Sequence, residues 1–183
     1  STSVYPQDEG IVVDEEADTC NAPPTGKVIL DSEQLIAKAD CLGRWFVLRL
    51  VGIYGPGRLY LLDQLRETNS EISGSGQYAL NMIHLEDIVS AICATLRAEQ
   101  SVESGIFNIS DNTPSLKVEV LSWLAKELGI PPPIFNFSEV SEGLRHRGGR
   151  VRHRLISNAK ARERLDWQPR YPSFREGYSG FLP

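Results

Sequence analysis

WFVLRLVG, residues 45–52, is a nearly continuous run of apolar and strand-forming residues. Such a run predicts a β-strand that is covered on both faces, as the strands of a parallel sheet are. YGPGR, residues 54–58, follows with two glycines and a proline and predicts a turn at the end of the strand. Because both faces of such a strand need helices to cover them, this segment predicts an α/β fold.

Further predicted elements alternate along the chain, as this fold requires. Residues 1–5 have the alternating pattern of the end of a strand, whereas residues 6–24 and 70–77 have the composition of surface loops. No GxGxxG turn follows any predicted strand, so the chain has no phosphate-binding turn of its own. Strands are predicted at residues 80–84, 104–110 and 152–158, and helices at residues 27–39, 58–67, 85–98, 116–129, 138–146, 158–165 and 174–182.

The composition argues against several classes of function. Of the 183 residues, 41% are apolar, which is enough for one core, and the formal net charge of -5 argues against general binding to nucleic acid. Cys20, Cys41 and Cys93 are too widely spaced to predict a disulfide framework or a zinc site, and no other metal is expected. No apolar run has the ~18 residues that a membrane span needs. We therefore expect a soluble protein of the cytoplasm or another reducing compartment, with a small-molecule substrate.

Five stretches of the chain, in order, match the motifs of one protein family. They are STSVY (residues 1–5), LRLVGIYGPGR (48–58), NMIHLEDIVSAI (81–92), FNISD (107–111) and SNAKARERLDWQPRYPSFREGY (157–178). The chain resembles the C-terminal two-thirds of the extended short-chain dehydrogenases/reductases, the NAD-dependent epimerase/dehydratase family, and most closely its atypical reductase-like members.

This resemblance implies how the chain is divided. Residues 1–110 are expected to form the C-terminal part of an NAD(P)-binding, Rossmann-type parallel sheet. Residues 111–183 are expected to form a small substrate-binding lobe and closing helices that interleave with the sheet. The family's glycine-rich nucleotide-binding half is expected upstream of Ser1, and binding of NAD or NADP is expected to need it.

The resemblance also identifies departures from the usual catalytic residues. In active members a helix begins with a tyrosine, followed four residues later by a lysine that lowers the pKa of the phenol, and often by a glutamate four residues after that. Aligning Glu33 with this glutamate places Thr25 at the tyrosine position and Ile29 at the lysine position. Thr25 is either a weak catalytic group or a helix cap, and the cap is favoured. Lys27 is expected to be a surface charge, since it points about 200° away from Ile29 on a helix.

Other site residues are implied by position within the motifs. Ser1 aligns with the serine or threonine that hydrogen-bonds the reacting oxygen, although it could instead be a frayed terminus. Tyr5 is expected in the core. The segment of Val51, Gly52 and Ile53 aligns with the backbone that lies beside the nicotinamide ring.

Two substitutions make a nucleotide-sugar substrate doubtful. Gly52 stands where epimerases of nucleotide sugars often have an asparagine, and Leu80 stands where binders of UDP-sugars have an arginine. The basic stretch RHRGGRVRHR, residues 145–154, is an anion site, a disordered or solvated loop or, as the least favoured alternative, a nucleic-acid contact, with Arg147 and Arg150 as the preferred contacts for an anion. Glu86 and Asp87 are expected to favour the helix dipole, and His84 to bridge strand to helix, rather than to form a metal site or an acid/base pair.

Two functions from different classes remain. The first is an NAD(P)-dependent epimerase/dehydratase-like oxidoreductase that lacks the usual Tyr–Lys pair. The second is a non-catalytic relative that acts as a ligand sensor or scaffold subunit. The resemblance further implies a homodimer formed through the helix at residues 27–39.

Overall fold

A computed structural model describes residues 1–67, 71–111, 113–136 and 152–183. None of the helices described there is long and apolar enough to cross a membrane. The helices of these ranges are α1 (Pro24–Ala37), α2 (Tyr60–Glu67), α3 (Leu85–Arg97), α4 (Lys117–Glu127), α5 (Ala159–Arg164) and α6 (Phe174–Ser179).

The strands pair mainly in parallel. They are β1 (Ile11–Val13), β2 (Phe46–Leu50), β3 (Gly52–Tyr54), β4 (Glu71–Ser73), β5 (Ala79–Leu80), β6 (Met82–His84), β7 (Gly105–Ile109), β8 (Ser115–Leu116), β9 (Ile134–Asn136) and β10 (Arg154–Ile156). β2–β7, β3–β6, β1–β10 and β4–β9 are parallel pairs, and β5–β8 is antiparallel. The longest pair, β2–β7, has helices α2 and α3 between its two strands in the sequence, which is the crossover that a parallel pair needs. The α/β fold with parallel strands is therefore confirmed.

Three local predictions were wrong. Residues 1–5 do not form the end of a strand, because Thr2–Val4 is a single 3-10 turn. The strands β1 and β4 lie in segments that were predicted as surface loops. Both are three residues long, and each pairs with a strand more than 60 positions away, so local composition carries little signal for them. The helix predicted at residues 138–146 lies outside the described residues.

The buried apolar residues form two clusters. The first surrounds the sheet strands β2 and β7 and includes Ile156, Ala161 and Trp167 from the C-terminal part of the chain. The second joins helices α2, α4 and α6 and includes Phe174. Residues after position 110 therefore contribute to both cores.

The face of helix α1 that packs against the core is not the face that carries its largest apolar residues. Val28 and Leu35 are 65% and 73% exposed, whereas Gly26 and Glu33 are buried. Ile29 packs against the sheet core. Buried Gly26 and Glu33 and partly buried Ile29 follow helical spacing, so the inward stripe contains a glycine and a carboxylate.

Candidate functional site

The STSVY turn (residues 1–5) meets the first turn of α1 backbone to backbone. The hydroxyl of Ser1 accepts a hydrogen bond from the amide of Ser3 at 3.3 Å and lies 3.1 Å from the Ser3 hydroxyl. A Cβ atom on Gly26 would lie 2.8 Å from the carbonyl oxygen of Ser3 and 3.0 Å from the Cα of Val4. Real Cβ contacts do not approach this closely, so the contact depends on glycine at position 26.

Thr25 and Ile29, which the family resemblance places at a tyrosine and a lysine position, both lie in α1. Thr25 is exposed on the first turn of α1, and Ile29 packs against the sheet core. The prediction that Thr25 caps the helix was wrong, because the helix begins at Pro24 with Pro23 as its N-cap, and no side chain bonds there. Proline is favoured at the first helical position, which moves the start of the helix upstream. Lys27 is exposed, as expected.

A buried polar network joins α1 to the sheet beneath the STSVY turn. Arg49 on β2 binds the carboxylate of Glu33 through two hydrogen bonds of 3.0 and 2.7 Å and donates to the Tyr5 hydroxyl at 2.8 Å. Tyr5 in turn donates to the side-chain oxygen of Asn108 on β7 at 2.8 Å. All four side chains are buried.

This network makes Tyr5 a structural group. Burial raises the pKa of Tyr5, and the hydrogen bond from Arg49 opposes that rise only in part. The prediction that Tyr5 lies in the core is confirmed. Sequence reasoning missed the network, although a charged Arg49 inside the apolar run at residues 45–52 was a signal that a buried partner exists.

The residues aligned with the nicotinamide contact lie at the junction of β2 and β3. Val51 is buried in the sheet core, and the amide of Gly52 donates to the carbonyl of Asn81 at 3.0 Å. Gly52 and Ile53 line a small open pocket that Leu80 also lines, whereas Ser1 and Thr25 do not. The remaining lining residues are Tyr54, Arg58, Tyr60, Leu61, Asn81, Met82 and Tyr178.

The HLED segment, residues 84–87, has a structural role. The Nδ1 atom of His84 accepts a hydrogen bond from the amide of Glu86 at 3.3 Å and so caps α3. The Asp87 carboxylate accepts the backbone amides of Arg170 and Tyr171 at 2.7 and 3.1 Å. Asp87 therefore holds the loop that precedes α6, and His84 joins the end of β6 to the start of α3, as the sequence predicted.

Asp111 is a buried carboxyl group that sequence reasoning missed. It follows β7 and accepts the amide of Thr113 at 3.2 Å. Burial, with smaller contributions from Asp87 and Glu176, raises the pKa of Asp111 to about 7. A carboxyl group with this pKa changes its charge near neutral pH.

The predicted anion contacts Arg147 and Arg150 lie outside the described residues. The described end of the same basic stretch contacts the STSVY turn. Arg154 donates to the backbone carbonyls of Thr2 and Tyr5 at 3.0 and 2.9 Å, and Arg152 donates to the carbonyl of Tyr5 at 3.1 Å. These two guanidinium groups therefore bind protein carbonyls.

The parallel strands, their crossover helices and the turn that meets α1 define a Rossmann-type α/β protein. No family model matches the chain. It is 29% identical over 182 residues to a 3-diazoavenalumate denitrifying reductase from Streptomyces sp., a match that spans 91% of this chain and 58% of the relative. The chain thus spans little more than half the length of this curated relative.

Solved structures share the fold across the whole chain. A protein assigned as an NAD-dependent epimerase/dehydratase from Methylobacillus flagellatus is 27% identical, with a TM-score of 0.73, and the match covers all of this chain and 60% of that one. MoeE5 in complex with UDP-glucuronic acid and NAD is 25% identical, with a TM-score of 0.77, over 97% of this chain and 60% of that one. The chain is thus similar in sequence and fold to NAD-dependent epimerases/dehydratases, as its five motifs indicated.

Proposed function

We propose that the protein is an NAD(P)-dependent oxidoreductase of the extended, atypical short-chain dehydrogenase type, and that this chain supplies the substrate side of its active site. The contact between Gly26 and the Ser3 carbonyl carries the proposal, because it holds the turn of Ser1 against the helix that bears the family's catalytic positions. Similarity to a reductase and to NAD-bound structures supports the cofactor.

The nicotinamide is expected beside residues 51–53. Gly52 has no side chain that would obstruct a flat ring beside the junction of β2 and β3. A bound nicotinamide supplies or accepts hydride. The chain contains no glycine-rich phosphate-binding turn, so dinucleotide binding is expected to need a nucleotide-binding half in the full-length protein.

The chain's own residues bind and orient the substrate oxygen. The Ser1 hydroxyl is exposed, its oxygen accepts the Ser3 amide, and it can donate its proton either to the Ser3 hydroxyl at 3.1 Å or to the substrate. Thr25 is exposed on α1 and is the weaker candidate for the same role. With Ile29 in place of lysine, the proton that accompanies hydride transfer comes from water or from the substrate itself.

A small acid or carbonyl compound fits this site better than a nucleotide sugar. Gly52 and Leu80, which replace the polar side chains of nucleotide-sugar enzymes, line the same pocket. The relative named as a reductase acts on 3-diazoavenalumate, which is not a nucleotide sugar. Arg147 and Arg150 remain the proposed contacts for an anionic group of the substrate.

The test is oxidation of NADH and NADPH by the full-length protein, assayed with aryl diazo acids, small ketones and UDP-sugars. We expect turnover with a non-nucleotide substrate and a loss in kcat of about 100-fold for Ser1→Ala, the size of effect that a lost hydrogen bond to the reacting oxygen produces. Ser101→Ala, an exposed serine far along the chain, is the matched control. Turnover of UDP-sugars alone, or none with any substrate, would contradict the proposal.

The absent Tyr–Lys pair supports a second candidate function. A protein with threonine and isoleucine at these positions could keep the fold as a ligand sensor or scaffold subunit. Saturable binding of NADH or NADPH without turnover of any substrate would favour this candidate over the oxidoreductase.

We also propose that α1 forms a homodimer interface. Val28, Leu35 and Ile36 lie on its outer face with 65%, 73% and 39% exposure, which is unusual for neighbouring large apolar residues of one helix. Light scattering on the purified protein distinguishes a dimer from a monomer, and a monomer would contradict the interface.

A further inference from the structure

The segment that enters β10 holds both ends of the STSVY turn. One guanidinium group, that of Arg154, donates to the carbonyl of Thr2 through Nη2 at 3.0 Å and to the carbonyl of Tyr5 through Nη1 at 2.9 Å. Arg152 adds a third hydrogen bond, to the carbonyl of Tyr5 at 3.1 Å. The turn between these two carbonyls carries the hydroxyl of Ser3 and is capped by Ser1.

Arginine suits this role because of its shape. The planar fork of a guanidinium group presents two donors at a fixed spacing, so it can bind two carbonyls at once, whereas a lysine ammonium group is a single point charge. The two carbonyls are those of residues 2 and 5, and the amide of Tyr5 donates to the carbonyl of Thr2 at 3.2 Å within the turn. Arg154 thus bridges the two ends of a closed turn.

Besides the two arginines, the Tyr5 hydroxyl anchors one end of the turn, since it accepts from Arg49 and donates to Asn108, both at 2.8 Å. The hydroxyl of Thr2 reaches the carbonyl of Leu50 at only 3.4 Å, which is a weak hydrogen bond. On the α1 side the carbonyl of Ser3 rests against Gly26, which offers close approach but no donor at its Cα. The three hydrogen bonds from Arg152 and Arg154 are shorter than this Thr2 contact.

The guanidinium group of Arg154 is partly buried and has a second positive charge, that of Arg152, beside it. Burial and the neighbouring Arg152 lower the pKa of Arg154, and Asp8 partly offsets this effect. The Asp8 carboxylate also accepts the amide of His153 at 2.6 Å, which fixes the backbone between the two arginines. Two like charges are thus held close together against the backbone carbonyls of the turn.

We propose that Arg154 is a positioning residue that sets the geometry of the Ser1 and Ser3 hydroxyls for reaction. This inference rests on the proposed function, since it takes Ser1 as the group that binds the substrate oxygen. Because Arg154 lies at the start of β10, it links this strand to the turn that carries Ser1 and Ser3.

The test compares Arg154→Ala and Arg154→Lys in the full-length protein, with Arg162→Ala on the exposed side of α5 as the matched control. We expect kcat to fall at least about tenfold in both Arg154 variants while KM changes less than about twofold, because a misplaced hydroxyl weakens the transition state more than substrate binding. Added guanidinium chloride at low, non-denaturing concentration is expected to restore kcat in Arg154→Ala and not in Arg154→Lys. A kcat equal to that of the wild type in Arg154→Ala would overturn the proposal.

Hydrogen exchange keeps this test independent of the proposed function. If the wild-type protein oxidises no nicotinamide, the proposed function fails, and exchange of the Tyr5 amide decides the bridging role alone. Faster exchange in Arg154→Ala, slowed again by guanidinium, supports the bridge, and unchanged exchange overturns it. Thermal unfolding of each variant separates a local effect from loss of the fold.

Discussion

At the scale of single residues, the interior of this protein contains two charged side chains that bind each other. Glu33 and Arg49 have side chains that are 8% and 3% exposed, and they form a two-point ion pair between α1 and β2. A buried charge without its partner is costly, whereas a matched and hydrogen-bonded pair is tolerated. The sequence contains both charges but not their contact, because a glutamate on a helix of mixed polarity is expected at the surface.

We predict that Glu33→Gln lowers the free energy of unfolding by about 3 kcal/mol, because it leaves the Arg49 guanidinium buried without a counter-charge. Glu33→Leu combined with Arg49→Met is expected to be less destabilising than Glu33→Gln, since it removes both charges. Urea denaturation measures both effects, with the exposed Glu127→Gln as a control. A loss below ~0.5 kcal/mol for Glu33→Gln, within the range of ordinary surface changes, would show that the pair is not needed.

Asp111 makes the stability of the fold depend on pH. Its pKa is about 7 in the folded protein, against 3.8 for an aspartate free of such surroundings, so the folded protein holds this proton more tightly than the unfolded chain does. The contribution of Asp111 to stability is therefore fully present below about pH 4 and is lost as the pH rises through about 7.

We predict that Asp111→Asn stabilises the protein at pH 8 by on the order of 3 kcal/mol and has a much smaller effect at pH 5. Asparagine keeps the acceptor for the Thr113 amide and cannot ionise. Thermal or urea unfolding at the two pH values measures the difference, with exposed Asp31→Asn as the control for loss of a negative charge. A stabilisation that is equal at both pH values would contradict the raised pKa.

At the scale of secondary structure, helix α1 shows where periodicity misleads. Its large apolar residues at positions 28, 35 and 36 predict one face as the core, and the structure buries positions 26 and 33 instead. The reason is that Gly26 allows backbone contact with the STSVY turn and Glu33 has a partner on β2. Both causes are tertiary, so a pattern within the helix could not show them.

We predict that Gly26→Ala destabilises the protein by about 1 to 3 kcal/mol, because the new methyl group would meet the backbone of Ser3 and Val4 at 2.8 and 3.0 Å. Backbone cannot rotate away as a flexible side chain can, so α1 must shift. Gly43→Ala is the matched control, since a methyl group at that position would have no other atom within 4 Å. Equal unfolding free energies for the two variants would show that α1 does not depend on this close approach.

At the scale of the whole molecule, the sequence predicts the fold class well and the site only in part. The run at residues 45–52 becomes β2, and the alternation of strands and helices predicts its parallel pairing, for which the structure gives β7 as the partner. The contacts of Asp87 with residues 170 and 171, and of Arg154 with Thr2, join positions more than 80 residues apart. Local patterns do not encode such contacts, whereas the motif resemblance already assigned Ser1 and α1 to one site.

The central claim is that these residues form the substrate side of a nicotinamide-dependent active site. The most direct measurement is a titration of NADH and NADPH into the full-length protein and into the chain of 183 residues, followed by nicotinamide fluorescence. We predict saturable binding by the full-length protein and much weaker binding by the 183-residue chain, because the chain has no phosphate-binding turn of its own. Absence of binding of either dinucleotide by the full-length protein would contradict the claim.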